Sequence, residues 1–287
     1  MSWLKHFFKK YFLFFWVKER FAPSVQISQR QLFHYYSDLA NLKEVPSLNE
    51  TGFRVFSQFE EDGKLLFIFS VLGMTNKTFV EFGSDDGVNS NSANLFFHHG
   101  WTGLFMDGNP RAVDRGRRFF SKYPHPHMHS PNFICTYVNR DNINALIESS
   151  GLKGEIGLLS IDIDGNDYWI WDAISIVEPQ VVIIETHNEF GLHDIVVPYD
   201  ENYVYPGKHP VYHGASPIAM TKLANKKGYR LVGANELGYN FIFVKNGLGD
   251  ALLPEVSVES LLMHPSNEDA QRRFQAIKDW DFIQPIL

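Results

Sequence analysis

Two apolar runs in this chain end in unusually polar tips. The run 157–163 delivers Asp162, Asp164, Asn166 and Asp167, and the run 181–185 delivers Glu185, His187 and Asn188. Acids, an amide and an imidazole at strand ends can take up a proton, orient a hydroxyl or hold a cation. His187 is the natural general base, because an unperturbed imidazole titrates near neutrality. Asp164 either orients it or acts directly, with Asp162 alongside. A positioned base adds about 10²–10⁴-fold to a rate. The competing arrangement is a divalent ion held by Asp162 or Asp164 with Glu185 or Asn188. Oxygen donors favour Mg²⁺ over zinc, and a bound metal sharply lowers the pKa of an oxygen acid. A satisfied loop histidine at 187 and a structural Asp162 stand as the bland alternatives.

A third polar tip closes the first apolar run, Thr78–Phe82. It reads Glu81, Phe82, Gly83, Ser84, Asp85, Asp86, Gly87 and leads towards a helix. Gly83 and Gly87 allow backbone to approach a ligand closely, and a helix N-terminus offers free N–H groups. The spacing is not the G-x-G-x-x-G of nicotinamide-dinucleotide proteins, and the lysine of a phosphate loop is missing. Acids at 81, 85 and 86 repel a pyrophosphate. They suit a cofactor carrying positive charge, such as the ammonium and sulfonium of S-adenosylmethionine. Asp107 ends the second run, where an acid can hold two ribose hydroxyls; by itself it also reads as a helix cap. Asp141, after the third run, lies where an adenine is read or a helix is capped. Glu81 has a structural alternative, accepting from nearby backbone N–H groups.

These tips must be positioned by alternating strands and helices. Apolar runs at 78–82, 103–106, 134–138, 157–163 and 181–185 alternate with helical stretches at 111–122, 141–150 and 167–176. Such alternation builds a parallel sheet flanked by helices. A helix at 217–227 is followed by strands 229–234 and 240–245 around a tight turn, so the sheet finishes in an antiparallel hairpin. The expected class is α/β, a Rossmann-like sheet, mostly parallel, with helices on both faces. Further helices are expected at 28–42 and 60–72. Three regions follow: a helical extension 1–51, a body 52–250, and a tail 251–287 with a short helix.

Composition narrows the classes. The chain has 287 residues, 44% of them apolar and 15% aromatic, enough to bury a core. Its single cysteine, Cys135, excludes an internal disulfide framework and a cysteine-based zinc site. A net charge of −7 argues against a general nucleic-acid binder.

Several stretches resemble the FkbM-type branch of class I S-adenosylmethionine-dependent methyltransferases. They are Ser57-Gln58-Phe59-Glu60-Glu61-Asp62-Gly63, Val80 to Gly87, Leu159 to Asp167, Val182 to His187, Tyr212 to Ser216, and Gly228 to Gly233. The resemblance covers about residues 52–246. It implies a seven-stranded sheet with the last strand antiparallel, and O-methylation, commonly of sugar or polyketide hydroxyls. The chain departs from the pattern at Ser160, often lysine, and at Asp164-Gly165, often Glu-Gly. The alternative, from a different class, is a non-catalytic scaffold that docks to a membrane-associated glycan-assembly complex.

Two segments point to partners. Residues 1–20 carry Lys5, Lys9, Lys10, Lys18 and Arg20 against Glu19, leaving the excess of acids on the remainder. Aromatic residues interleave with these lysines at helical spacing, and the apolar run is too short to span a bilayer. Residues 1–21 therefore read as a peripheral membrane helix, or as one docked on its own domain or on a twin subunit in a homo-oligomer. With one cysteine, the expected location is cytoplasmic, at the inner face of the membrane if the leader binds lipid. Residues 187–216 form a long loop with Tyr199, Tyr203, Tyr205, Tyr212 and His213, suited to a small-molecule or glycan acceptor. His125, His127 and His129 alternate between prolines and read as a surface loop.

Overall fold

The structure is a computed structural model and describes residues 12–122 and 130–285. His125, His127, His129 and residues 1–11 of the leader lie outside the described residues. The chain divides into two compact units. The first is Met1–Ser47 with Thr51–Tyr137; the second is Leu48–Glu50 with Val138–Leu287. These units cut across the three regions expected from the sequence.

In the first unit, β1 (Thr78–Phe82), β2 (Thr102–Asp107) and β3 (Asn132–Cys135) are parallel. Gly103 is required there: a Cβ would lie 2.1 Å from the Phe79 carbonyl oxygen. After the helical segment 12–17, this unit carries the helices α1 (Pro23–Leu42), α2 (Glu61–Leu72), α3 (Ala93–His99) and α4 (Pro110–Phe120). Helix α1 starts at Pro23, earlier than the expected residue 28, because proline fits the first helical position. Tyr36 of α1 meets Phe67 of α2 edge-on, and Gln29 and Asn94 exchange two buried amide hydrogen bonds of 2.7 and 2.8 Å. Strand β3 was expected at 134–138 but ends at Cys135, which pairs with Asp107, the last residue of β2.

In the second unit, β4 (Gly154–Ile161) and β5 (Val177–Glu185) are parallel. Strand β7 (Asn240–Lys245) runs antiparallel to both β5 and β6 (Tyr229–Ala234). The expected hairpin is present. Its turn closes through Gly238 N–H to the Asn235 carbonyl, and the Asn235 side chain accepts from Tyr239 N–H and Asn240 N–H. The helices are α5 (Ile143–Ser149), α6 (Asp167–Ala173), α7 (Pro217–Lys226), α8 (Val258–Leu261) and α9 (Ser266–Phe274). Ser216 caps α7 by accepting from Ala219 N–H. Strand β4 starts earlier than expected and stops at Ile161, so residues 162–166 form an irregular corner rather than a strand end.

The seven strands run in the order β3-β2-β1-β4-β5-β7-β6. The fold is mixed α/β and Rossmann-like, mostly parallel, with the antiparallel β7 between β5 and β6. No helix among the described residues is long and apolar enough to cross a membrane.

Candidate functional site

The turn after β1 is built from its own acids. Gly83 (φ +69°) and Gly87 (φ +73°) take the left-handed conformations their positions need. Glu81 is buried, and its two carboxylate oxygens accept from Asn91 N–H (3.0 Å) and Ser92 N–H (2.9 Å). It therefore fills the approach to α3 that was expected to receive a ligand. Burial pushes its pKa up, while the hydrogen bonds from Ser92 and Asn91 pull it down. Ser84 is buried too. The backbone N–H groups of Gly83 and Ser84 both donate to the Met106 carbonyl.

Asp85 and Asp86 were expected to face a cationic cofactor. Both instead pair with a cation of the chain. Arg115, 6% exposed, donates from Nε to Asp86 Oδ2 at 2.6 Å and from Nη2 to Asp85 Oδ1 at 3.0 Å. A Cβ on Gly116 would lie 2.6 Å from the Asp86 carbonyl, so glycine lets α4 come this close to the turn. Sequence reasoning missed Arg115. The signal was an arginine within the apolar stripe Ala112, Val113, Gly116, Phe119 and Phe120, where a buried cation needs an acid.

Asp107 sits at the tip of β2, half-buried. Its Oδ2 accepts from Asp85 N–H at 2.8 Å and its Oδ1 from Asn109 N–H at 2.7 Å. The helix cap is Asn109, which accepts from Arg111 N–H and Ala112 N–H, so Asp107 is not spent on capping. Tyr137, 75% exposed, lies against the backbone of Gly108, where a Cβ would meet its ring at 2.5 Å. Asp141 lies one residue before Asn142, the N-cap position of α5, which has no side-chain cap hydrogen bond. Asp141 is exposed, and Asn139 organises the start of α5 by accepting from Asp141 N–H and Asn142 N–H.

The second unit gathers three of the expected acids. Ligand oxygens of Asp162, Asp164 and Glu185 all lie within 4.8 Å of one another. Burial pushes the Glu185 carboxyl well above the usual carboxylate range, helped by the charges of Asp162, Asp167 and Asp164. Asp164 is exposed and has φ +55°, a conformation L-residues rarely adopt. Asp167 holds it there by accepting from Ile163 N–H and Gly165 N–H, both at 2.8 Å.

His187 and Asn188 are placed differently from expectation. His187 is 8% exposed, with Nε2 at 3.0 Å from the Val211 carbonyl and Nδ1 at 3.3 Å from Glu189. Burial lowers its pKa to about 4. With Nε2–H donated to a carbonyl, its geometry is that of a satisfied loop histidine. Asn188 is fully buried and donates to Leu237 and Asn267 in the packing of the chain's end.

Beside the acids lies a cavity of about 420 Å³. Gly165, Asn166, Tyr199, Asp200, Tyr203, Lys208, Tyr212 and His213 are among the groups that line it. The ring of Tyr203 fits only because residue 165 is glycine, since a Cβ there would come within 2.4 Å of it. The Tyr203 hydroxyl is buried without a hydrogen-bond partner. Burial raises its pKa, as do the nearby charges of Asp164, Asp167 and Glu185.

No protein-family model matches the chain, and no curated protein matches it. Solved structures share the architecture at low similarity. An O-methyltransferase family protein from Burkholderia thailandensis is 11% identical, with a TM-score of 0.38 over 65% of this chain and 59% of that one. Magnesium protoporphyrin IX methyltransferase from Synechocystis PCC 6803, with bound SAM, is 10% identical, with a TM-score of 0.41 over 65% of this chain and 78% of that one. The N-terminal domain of EvdMO1, in the presence of SAH and D-fucose, is 10% identical, with a TM-score of 0.40 over 75% and 95%. This chain thus spans 59% of the length of the first of these. Likeness at this level adds nothing to what strand order and side-chain geometry establish.

Proposed function

We propose that the protein is an S-adenosylmethionine-dependent O-methyltransferase acting on a hydroxyl of a sugar or related small molecule. The observation that carries this reading is Asp107. It stands at the tip of β2 and draws the glycine turn of β1 towards it through Asp85 N–H. Each of its oxygens accepts one N–H and keeps acceptor capacity for the two hydroxyls of a ribose. The exposed ring of Tyr137 beside it supplies a flat surface for a purine. The sequence resemblance to FkbM-type enzymes and the antiparallel β7 support the same assignment.

The cofactor supplies an electrophilic methyl group; the chain must hold the acceptor and receive its proton. The cavity lined by Tyr199, Tyr203 and Tyr212 suits a sugar ring, with Asn166 and Asp200 as polar partners. Asp164, exposed and held in a strained conformation, takes the role of base in place of His187, whose Nε2 is committed to Val211. In the competing arrangement Asp162, Asp164 and Glu185 would instead be an all-oxygen donor set for a hard divalent cation such as Mg²⁺, with Asp164 a ligand rather than the base. A cation there would make an acceptor hydroxyl more acidic.

Titration calorimetry with S-adenosylmethionine and its demethylated product tests the reading. Binding of both, weakened at least tenfold by Asp107→Ala, is expected; absence of binding to the wild-type chain rejects it. The non-catalytic scaffold remains as a second reading because His187 is locked in the loop. It requires cofactor binding without turnover and indifference to Asp164→Asn.

A further inference from the structure

A different part of the molecule carries an inference independent of the reaction. Residues 12–17 are helical, and their two faces have separate fates. Leu13 and Val17 are 6% and 3% exposed, packed into the protein. Phe21 anchors the end of the segment against Phe56 and Phe97, with ring centroids 5.6 and 5.0 Å away. Arg20 ties the same end down, donating to the Val88 carbonyl and to Asn89 Oδ1. The opposite face shows Phe12, Phe15 and Trp16 at 40, 62 and 60% exposure. These three share one side at i, i+3 and i+4 spacing. The helix is thus fastened through one face, while Phe15 and Trp16 on the other stay exposed.

We infer that this outward aromatic face docks the protein on an anionic lipid surface. Charge selects that occupant. Lys18 is exposed beside the aromatic face, and the sequence before it adds Lys5, Lys9 and Lys10 along with Trp3, Phe7 and Phe8. Bulky aromatics flanked by lysines suit the headgroup boundary, where the rings enter and the ammonium groups meet anionic lipid. The rest of the chain is acidic, so an anionic surface repels it and attracts only this end. A second copy of the chain would bring two basic leaders together.

The experiment is flotation of the full-length protein with vesicles of phosphatidylcholine alone, or of phosphatidylcholine with one-third phosphatidylglycerol. Sedimentation velocity on the same samples without lipid accompanies it. The double variant F15S/W16S changes only exposed side chains, and its thermal melt checks that it folds. Wild type is expected to float with the anionic vesicles and to bind the neutral ones at least tenfold more weakly. The variant should lose at least tenfold in affinity for the anionic vesicles, and high salt should weaken wild type several-fold. Failure of wild type to bind, or a variant that binds equally well, overturns the inference. So does a wild-type dimer that the variant abolishes while neither protein binds lipid, because the face would then be a subunit interface.

Discussion

Arg115 offers the sharpest test of how the β1 turn is held, because its two acidic partners differ in environment. Asp86 is 2% exposed and lies 2.6 Å from Nε; the Asp85 side chain is 51% exposed and lies 3.0 Å from Nη2. Removing the arginine strands a buried carboxylate, so Arg115→Met should cost about 3–5 kcal/mol. Asp85→Asn removes only a solvent-screened partner and should cost under about 1 kcal/mol. Combining Arg115→Met with Asp86→Asn leaves no buried charge. The asparagine oxygen can still accept the Val88 N–H that Asp86 Oδ1 holds at 3.1 Å. The double variant should therefore recover most of the loss seen in Arg115→Met. Urea unfolding at pH 7, with unchanged denaturant dependence as the check on comparable end states, measures all three. An Arg115→Met protein within about 1 kcal/mol of wild type, or a double variant no better than the single, refutes the buried-pair argument.

Other predictions test the second unit and the whole chain. His187→Asn should leave the pH profile of turnover unchanged, whereas Asp164→Asn should lower kcat by about 10²–10⁴-fold; the reverse result restores His187 as the base. Tyr203→Phe removes a buried hydroxyl that has no partner. It should stabilise the free protein by up to about 1 kcal/mol in urea unfolding while raising the KM for the acceptor. Stability should fall between pH 7.5 and 5. Burial holds His187 and His213 near 4, so the unfolded chain takes up protons the folded chain refuses as pH drops below about 6.5. Each costs about 2 kcal/mol by pH 5. Asp62 and Asp167, raised by burial to about 6, act oppositely and return about 1 kcal/mol each, and the raised Glu185 works in the same direction, while His98 and His99, lowered by burial to about 4 and 3, add to the loss. Urea midpoints at the two pH values decide it, and a midpoint that rises on acidification contradicts the sum.

Much of this architecture is legible in local pattern. Strand β1 and the final hairpin lie where β-branched and aromatic runs and an Asn-Glu-Leu-Gly turn put them. Boundaries fail where a distant partner sets them. Strand β3 stops at Cys135 because β2 ends opposite it, although the apolar pattern runs on to Val138. Strand β4 begins at Gly154 because Val177 pairs with it there. The acids Asp162, Asp164 and Glu185 were identifiable because adjacent parallel strands bring their ends together. The fates of Asp85, Asp86 and His187 were not legible. Each depends on one group far along the chain: the acids on Arg115, the histidine on the Val211 carbonyl. Polar residue types announce capacity for chemistry, and only the tertiary partner decides whether that capacity is already spent.

The long loop after β5 is not closed on itself. Val196 bridges to Ala215 within the loop and to Ile283 near the chain's end, and the Tyr212 hydroxyl donates to the Asp281 carbonyl. Asp281 also lines the cavity. The recess is thus framed by three stretches of chain, the corner at Gly165 and Asn166, the long loop and the tail; the last two are separated by the whole terminal hairpin, and none belongs to the sheet. The loop and the tail can be exchanged as a matched pair, 187–216 with 275–285, while the strands stay as they are. Variation in what the recess accepts would then appear as correlated change between a mid-chain loop and a distant tail.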